Sequence, residues 1–307
     1  MGSTKYRLDA FNEGDMNLAL YRSFRRVRTY FSFVRFSHTV FALPFALSGA
    51  MLAVANGVPL KGGRVVLILA AMATARTAAM GFNRLVDAGF DSLNARTKGR
   101  ELPLGRMSSW EAGCIVFLAS ILFVWVTYWL GTLCFLLSPV ALGIVFWYSL
   151  AKRFTNYTQV FLGLALAVAP VGGWLAIGGR SGWAPWLLAF GTATWVAGFD
   201  ILYACEDIEF DRANRLGSIP ARFGVNRSLW ISRALHLVTV ISLAALPSVA
   251  FLGQVYFLGV AGVAILLAYE QSLVTAGDLS RVKQAFDLNG YVGILYLIVT
   301  VASVYVR

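Results

Sequence analysis

The sequence predicts an all-α, polytopic membrane protein, with nine transmembrane helices in a single bundle around a central chamber. Of its 307 residues, 58% are hydrophobic and only 13% are charged, whereas soluble domains average about 45–50% and about 25%. The apolar residues form stretches long enough to cross a bilayer, which takes about 20 residues of helix. The basic residues lie almost entirely on one side of these stretches, as is typical of multi-pass membrane proteins.

Nine stretches have the composition of a membrane span. In chain order they are residues 38–56, 64–82, 113–131, 132–150, 158–178, 183–203, 230–249, 251–269 and 291–305. The region between Gly113 and Leu150 carries no formal charge and is too long for one helix, so we expect the chain to turn near Gly131. Pro247 and Gly253 mark a similar turn between the seventh and eighth spans.

The distribution of basic residues predicts the topology. With nine spans, the amino-terminal segment (residues 1–37) lies on the same side as the loops after the second, fourth, sixth and eighth spans. The opposite side holds only Lys61, Arg64, Arg180 and Arg307. The net charge of +11 therefore indicates a cytoplasmic face, not nucleic-acid binding. We expect a cytoplasmic segment followed by one transmembrane domain over residues 38–307. The absence of a Ser/Arg-rich transit peptide favours the inner membrane of a bacterium.

Two acidic motifs interrupt the apolar pattern at the ends of the second and sixth spans. We call them the first acidic cluster (Asn83, Asp87 and Asp91) and the second acidic cluster (Asp200, Asp207 and Asp211). Both contain Asp-x-x-Phe-Asp, whose aspartates are four residues apart and share a helix face. Four spans separate the motifs, and an even number of crossings returns the chain to the same side of the membrane. The sequence thus predicts two facing acidic helix ends at the cytoplasmic surface.

Such an arrangement indicates a site for cations and phosphate. Neighbouring carboxylates repel one another and are costly to desolvate near a membrane, so a cation is expected between them. Carboxylate and amide oxygens suit Mg²⁺, which commonly bridges to substrate phosphates. The basic residues Arg100, Lys152 and Arg153 lie in loops on the same side and can stabilise a leaving diphosphate. An apolar chamber beneath them would suit an isoprenoid tail.

These motifs resemble those of the UbiA superfamily of intramembrane prenyltransferases, and the resemblance covers nearly the whole chain. That family has nine helices, with N-x-x-x-D-x-x-x-D after the second and D-x-x-x-D after the sixth. Finer matches point to the 4-hydroxybenzoate polyprenyltransferase branch. They are Arg35-x-x-His38-Thr39, Arg96-Thr97…Arg100-Glu101-Leu102-Pro103, Tyr148…Lys152-Arg153-Phe154-Thr155, Asp200-Ile-Leu-Tyr203-Ala204 and Ser218-Ile-Pro220-Ala-Arg-Phe-Gly224.

The resemblance implies a Mg²⁺-dependent transfer of a polyprenyl group from its diphosphate to the ring of an aromatic acceptor. The acceptor would be 4-hydroxybenzoate or a related benzoate, in ubiquinone or menaquinone biosynthesis. It assigns metal binding to Asn83 and to the catalytic aspartates Asp87, Asp91, Asp207 and Asp211. Lys152, Arg153 and Arg100 would contact the diphosphate, while Arg35 and Asp200 would line the pocket, Arg35 as a substrate-binding residue and Asp200 as a further catalytic one. Many members have Asp after the asparagine, whereas this chain has Arg84, which leaves the subfamily open.

Three alternatives remain at this point. The same chemistry could serve another acceptor, such as haem, homogentisate, dihydroxynaphthoate or a chlorophyllide. Internal duplication and intramembrane charge are also typical of secondary transporters, although their sites usually lie near the bilayer midplane. An inert scaffold is the third. The expected partners are polyprenyl diphosphate, a small aromatic acceptor and membrane lipid, without nucleic acid; the sequence predicts no particular oligomeric state.

Overall fold

A computed structural model describes Thr29, Phe33, residues 41–180 and residues 182–306. These residues form helices joined by short loops, and the one β-bridge among them pairs Thr275 with Asp278. The helices are α1 (Leu43–Ala55), α2 (Gly62–Leu93), α3 (Ser109–Leu130), α4 (Thr132–Leu150), α5 (Thr158–Ala176), α6 (Ala184–Ala204), α7 (Ile208–Ala213), α8 (Ile219–Ala245), α9 (Val255–Leu273) and α10 (Val282–Tyr305). Short 3₁₀ turns cover Ala151–Arg153, Cys205–Asp207 and Leu246–Ser248.

The predicted all-α polytopic fold is confirmed. In the described part of the chain, eight helices are long and apolar enough to cross a membrane, and α1 is a shorter apolar helix of 13 residues. Gly131 separates α3 from α4 with φ 133°, a conformation that favours glycine. The turn predicted near Gly131 is therefore confirmed. The turn at Pro247 lies in the 3₁₀ segment that follows α8.

Small residues bring α1 and α5 into backbone contact. A Cβ atom added to Gly49 of α1 would overlap the carbonyl of Pro170 on α5, and one added to Gly173 of α5 would overlap the carbonyl of Ala46. Glycine allows such close approach between membrane helices, where packing replaces the hydrophobic driving force. This pair contacts α6 and α10 on one side and α4 on the other, and it forms part of the wall behind the chamber.

A buried polar network ties together α6, α9 and α10. Trp195 Nε1 donates to Asn289 Oδ1 at 2.7 Å, and Asn289 Nδ2 donates to Glu270 Oε1 at 2.9 Å. A second set joins α9 to α8, where Gln271 Nε2 donates to Ser232 Oγ at 2.7 Å. Hydrogen bonds between membrane helices hold them in register. These hydrogen bonds fix the relative positions of α6, α8, α9 and α10, which form one side of the bundle.

Arg64 anchors the end of the bundle opposite the acidic clusters. Its Nη1 donates to the carbonyl of Ala176 at 2.9 Å and also to the carbonyl of Leu130. These carbonyls belong to the last turns of α5 and α3, where helices have no further backbone donors. One side chain near the start of α2 therefore caps two neighbouring helices and aligns them with α2.

Candidate active site

A chamber of about 990 Å³ opens among α2, α4, α5 and α6, and both acidic clusters line it. On α2 its lining runs from Ile68 to Asp91, which at 1.5 Å per residue is about 35 Å of helix. One end is lined by apolar side chains such as Leu130 and Leu175, whereas the other end carries the acids. The chamber is thus long and mostly apolar, and we call its acidic end the mouth.

The first acidic cluster lies on one uninterrupted helix. Asn83, Asp87 and Asp91 follow one another at single-turn intervals along the last third of α2, and all three line the chamber. Asn83 Nδ2 donates to Asp87 Oδ2 at 3.3 Å. Asp87 and Asp91 are only 3% and 6% exposed. The structure therefore shows the predicted stripe of oxygen atoms, held by the helix itself.

Three basic side chains neutralise this first cluster. Lys152 Nζ lies 2.7 Å from Asp87 Oδ2, and Arg153 Nη2 lies 3.3 Å from Asp87 Oδ1. Arg100 Nη1 lies 2.7 Å from Asp91 Oδ2. Lys152 and Arg153 come from the 3₁₀ turn after α4, whereas Arg100 comes from the loop after α2. All three predicted diphosphate-contacting residues therefore meet at the first cluster, where Lys152 and Arg100 line the chamber and Arg153 does not.

The second acidic cluster does not share one helix, and the prediction that Asp207 and Asp211 share a helix face is wrong in this respect. Asp200 lies on α6, which ends at Ala204; Asp207 ends the 3₁₀ turn that follows, and Asp211 lies on the separate short helix α7. The chain narrows to a 3₁₀ turn at Cys205–Asp207, which changes the direction of the side chains beyond it. Even so, all three aspartates line the chamber.

Arg96 links the second cluster to the loop after α2. Its Nε donates to Asp207 Oδ1 at 3.2 Å, its Nη2 contacts Asp207 Oδ2, and its Nη1 donates to the Tyr203 hydroxyl at 2.6 Å. Asn94 Nδ2 donates to Asp207 Oδ1 at 3.1 Å. Burial alone would lower the pKa of Arg96, but the hydrogen bond and charge of Asp207 raise it. Arg96 therefore spans the mouth of the chamber as a cation.

The remaining aspartates of the second cluster have no basic partner at ion-pair distance in the described residues. Asp211 Oδ2 accepts a hydrogen bond from Ser218 Oγ at 2.8 Å. Asp200 makes neither a hydrogen bond nor an ion pair with another described residue. Of the other predicted site residues, Arg35 lies outside the described residues.

Arg76 is a chamber residue that sequence reasoning missed. It lies on α2 two turns before Asn83, on the same face, and lines the chamber with Tyr148. Its Nε is buried and has no hydrogen-bond partner among the described residues, and no described carboxylate pairs with it. An arginine inside an apolar span is a sequence signal in its own right, because such residues nearly always face a bundle interior.

The donor set fits a divalent cation that binds together with phosphate. Within residues 41–180 and 182–306, no three histidine, cysteine, aspartate or glutamate side chains are close enough to share one metal ion. A site built only from protein ligands, as zinc prefers, is therefore a poor fit. Mg²⁺ commonly binds through one or two carboxylates and completes its shell with water and phosphate oxygens, which matches two separated clusters of oxygen atoms.

Comparisons with known proteins agree with this geometry. The sequence profile of the UbiA prenyltransferase family matches residues 42–296. The 4-hydroxybenzoate octaprenyltransferase of Vibrio campbellii is 29% identical over 249 residues, which cover 81% of this chain and 87% of that protein. The enzyme of the same name from Edwardsiella ictaluri is 30% identical over 235 residues, covering 76% and 82%.

Solved structures share the fold. A UbiA homologue from Aeropyrum pernix K1 is 35% identical and superposes with a TM-score of 0.78, covering 85% of this chain and 95% of that one. A UbiA homologue from Archaeoglobus fulgidus, solved with GPP and Mg²⁺, is 21% identical with a TM-score of 0.66, covering 91% of this chain and 100% of that one. At that lower identity, the likeness concerns the fold alone.

Proposed function

The chain belongs to the UbiA prenyltransferase family, and from this premise we propose that it transfers a polyprenyl group from polyprenyl diphosphate to the ring of 4-hydroxybenzoate or a related benzoate. The product would enter the synthesis of a membrane quinone. The names of the Vibrio campbellii and Edwardsiella ictaluri relatives support this acceptor. The observation that carries the proposal in this chain is Arg76, a chamber arginine that pairs with no carboxylate among the described residues.

An arginine inside an apolar chamber needs a negative partner, because an unpaired charge in a membrane protein is costly. Asp87, Asp91 and Asp207 already contact other cations, and neither Asp200 nor Asp211 forms an ion pair with Arg76. An acceptor that brings its own carboxylate would supply the missing charge and be oriented by it. Arg76 lies seven residues before Asn83, or about 10 Å along the helix. A single-ring acid fits this interval, whereas a tetrapyrrole acceptor is wider.

Mg²⁺ is the metal that the two clusters suit, and the Archaeoglobus fulgidus homologue, solved with GPP and Mg²⁺, supports this assignment. Asn83, Asp87 and Asp91 would hold it on one side, and Asp207 and Asp211 on the other. When bound, Mg²⁺ would withdraw charge from the diphosphate and make it a better leaving group.

The basic side chains of the mouth would then bind the diphosphate. Lys152 and Arg100 now contact Asp87 and Asp91 at 2.7 Å each, so they are positioned to turn towards phosphate oxygens when the carboxylates receive another cation. Arg96 would do the same from Asp207. Guanidinium and ammonium groups placed around a leaving diphosphate stabilise its growing charge.

The rest of the reaction would take place in the apolar part of the chamber. As the bond between C1 of the prenyl chain and the diphosphate oxygen breaks, a ring carbon ortho to the acceptor hydroxyl bonds to C1. The ring then loses a proton. Asp200 is the chamber carboxylate that makes no hydrogen bond with another described residue, so we assign it as the proton acceptor. Apolar walls keep water from the allylic cation.

The same proposal places the protein in the inner membrane of a bacterium, with the mouth of the chamber towards the cytoplasm. Its eight long apolar helices make it an integral, multi-pass membrane protein. The acidic clusters lie at the ends of α2 and α6, next to loops rich in arginine and lysine. Loops of this composition stay on the cytoplasmic side, where a water-soluble diphosphate can leave.

The test is prenyl transfer by the purified protein in detergent, with Mg²⁺, geranyl diphosphate and labelled 4-hydroxybenzoate, beside an EDTA control. We expect a prenylated benzoate that forms only with the metal. Arg76→Gln should raise the KM for 4-hydroxybenzoate about 10–100-fold, because a hydrogen bond to a charged group contributes about 1.5–3 kcal/mol. The KM for geranyl diphosphate should not change.

Two controls make the test specific. Arg233→Gln removes another arginine of a membrane helix, one that stacks on Trp230 outside the chamber, and should leave both KM values unchanged. Phenol, which lacks the carboxylate, should be a poor acceptor for the wild type and an equally poor one for Arg76→Gln. If the variant uses 4-hydroxybenzoate as well as the wild type does, the assignment of Arg76 is wrong. If neither substrate is consumed although diphosphate binds, prenyl transfer itself is wrong.

A further inference from the structure

A second cavity lies outside the chamber, directly behind the second acidic cluster. It has a volume of about 300 Å³ and is lined by Arg212, Arg215 and Arg222, together with Asn156 and Asp211. We call it the arginine cleft. Asp211 lines both the arginine cleft and the chamber, so one short segment of chain separates the two spaces. The three arginines are exposed and face the side of the loops, away from the apolar end of the chamber.

Two of these arginines are held in place by neighbouring groups. Arg212 Nε donates to the carbonyl of Ala221 at 2.9 Å, which leaves its two terminal nitrogens for other partners. The Arg222 guanidinium lies 5.6 Å from the ring centroid of Tyr157 and 5.1 Å from that of Phe223. Stacking on aromatic rings engages the faces of the guanidinium and leaves its N–H groups free to donate at the edge.

Arg215 is held by an unusual backbone conformation. Its φ of 55° is the one positive value at a non-glycine residue in the described chain, and the left-handed region is unfavourable for a residue with a Cβ atom. The loop around it is fixed at both ends: Leu216 N donates to Asp211 O at 2.8 Å, and Gly217 N donates to Lys152 O at 2.7 Å. Glycine would adopt this backbone conformation without strain. The presence of arginine at position 215 therefore indicates that its side chain has a role of its own.

The charge of the arginine cleft is not balanced. Among the described residues, none of its three arginines makes an ion pair. The one carboxylate in the cleft, Asp211, accepts a hydrogen bond from Ser218 at 2.8 Å. Clustered guanidinium groups bind phosphate oxygens in bidentate fashion. Arginines that merely interact with water at a membrane surface need neither a cavity nor a strained backbone.

We propose that the arginine cleft is a second anion site, which binds a phosphate-bearing ligand outside the chamber and without a metal ion. The phosphate could belong to inorganic diphosphate or to the headgroup of an anionic phospholipid, because the cleft adjoins the acidic end of the chamber, where the loops join the membrane-spanning helices. This site is independent of the proposed function, since neither Mg²⁺ nor an aromatic acceptor takes part in it.

The experiment is a calorimetric titration of the full-length protein in nonionic detergent with inorganic diphosphate, in EDTA. We expect one site whose affinity falls as salt is added. The double substitution Arg215→Gln with Arg222→Gln should weaken it at least about tenfold, as loss of charged hydrogen bonds does. Arg227→Gln is the matched control, because Arg227 is an exposed arginine of α8 outside the cleft. The affinity of the Arg227→Gln variant for diphosphate should equal that of the wild type.

Arg215→Gly distinguishes lost binding from lost folding. Glycine relieves the strain at φ 55°, so this variant should melt at the same temperature as the wild type or higher, yet bind diphosphate more weakly. Binding that EDTA abolishes would belong to the chamber and would overturn the proposal. So would an affinity that is the same in the wild type, Arg227→Gln and the double variant.

A second arm identifies the source of the phosphate. The protein is placed in nanodiscs of phosphatidylcholine with or without phosphatidylglycerol, and the melting temperature and diphosphate affinity are measured. If the headgroup binds, phosphatidylglycerol should raise the melting temperature and weaken diphosphate binding, and both effects should disappear in the double variant. If only free diphosphate binds, its affinity should be the same in both lipids and still fall in the double variant. An effect of phosphatidylglycerol that persists in the double variant, without diphosphate binding, would overturn the proposal.

Discussion

The two acidic clusters carry the same Asp-x-x-Phe-Asp pattern but differ in their backbone. The first lies on α2, which continues without a break from Gly62 to Leu93. The second is divided among α6, a 3₁₀ turn and α7. An unbroken helix fixes the spacing of its side chains, whereas a junction between a long helix, a 3₁₀ turn and a short helix can adjust. We infer that the first cluster sets the position of the diphosphate and that the second adapts to it.

The clusters also differ in charge. Three cations contact the two carboxylates of the first cluster, namely Lys152, Arg153 and Arg100. In the second cluster, among the described residues, Arg96 pairs with Asp207, and no cation pairs with Asp200 or Asp211. With these partners the first cluster has a positive net formal charge and the second a negative one. The second should therefore attract a divalent cation more strongly, whereas the first would accept one as its own cations turn towards phosphate. An identical motif does not imply an identical electrostatic role.

The largest effect expected is loss of turnover when an aspartate of either cluster is replaced. Asp87→Asn and Asp207→Asn should each lower kcat at least about 100-fold, because each removes a carboxylate that would hold Mg²⁺ beside the leaving diphosphate. The Mg²⁺ concentration for half-maximal rate should rise more in Asp207→Asn, since its cluster has the larger negative excess. Steady-state rates over a Mg²⁺ series measure both quantities.

The control is Glu209→Gln, which replaces an exposed acid of α7 and should behave as the wild type. If the Mg²⁺ requirement rises equally in Asp87→Asn and Asp207→Asn, the proposed difference in charge between the two clusters is wrong.

The next effect separates the cations of the two clusters. Lys152→Gln should raise the KM for geranyl diphosphate about 10-fold, because it removes one charged contact to phosphate. Arg96→Gln should instead strengthen binding of a divalent ion in the absence of donor, since Asp207 loses the cation that now contacts it. Electron paramagnetic resonance of added Mn²⁺ measures this binding directly. Weaker Mn²⁺ binding in Arg96→Gln would show that Arg96 holds Asp207 in position for the metal ion and does not compete with the ion for this carboxylate.

A smaller effect is expected at the support of Arg96. Tyr203→Phe removes the hydroxyl that accepts from Arg96 Nη1 at 2.6 Å and keeps the ring beneath its guanidinium, whose centre lies 4.9 Å from the ring centroid. Loss of one such hydrogen bond corresponds to about 0.5–1.5 kcal/mol, so kcat/KM should fall about 3–10-fold. If the double variant with Arg96→Gln is no slower than Arg96→Gln alone, Tyr203 acts through Arg96. Additive losses would show that it acts separately.

The smallest effect on catalysis is expected in the buried network away from both clusters. Asn289→Ala breaks the hydrogen bonds from Trp195 and to Glu270 and should lower stability by about 1–3 kcal/mol, because it leaves buried polar groups unpaired. Its kcat/KM should remain within about twofold of the wild type after purification at low temperature. Thermal unfolding in detergent and steady-state rates are the measurements. A large catalytic loss would show that the α6–α10 packing also positions the second cluster.

The sequence by itself determined the class of the protein, the order of its spans and the set of acidic residues, and it predicts the side of the membrane on which the loops lie. These features depend on local composition, because a bilayer requires about 20 apolar residues for each crossing and basic loops stay on one side. The spacing of Asn83, Asp87 and Asp91 is also local, since an α-helix repeats every 3.6 residues. The prediction for α2 therefore agreed with the structure.

Only the tertiary structure decided which cation meets which acid. Arg96 follows the first cluster in sequence but pairs with Asp207, 111 residues away, and Lys152 crosses 65 residues to reach Asp87. The 3₁₀ turn that divides the second cluster, the place of Arg76 in the chamber and the grouping of the arginine cleft were likewise set by packing. Electrostatic pairs form between groups that are close in space, and in a helical bundle proximity depends on how the helices pack together, which no local pattern specifies.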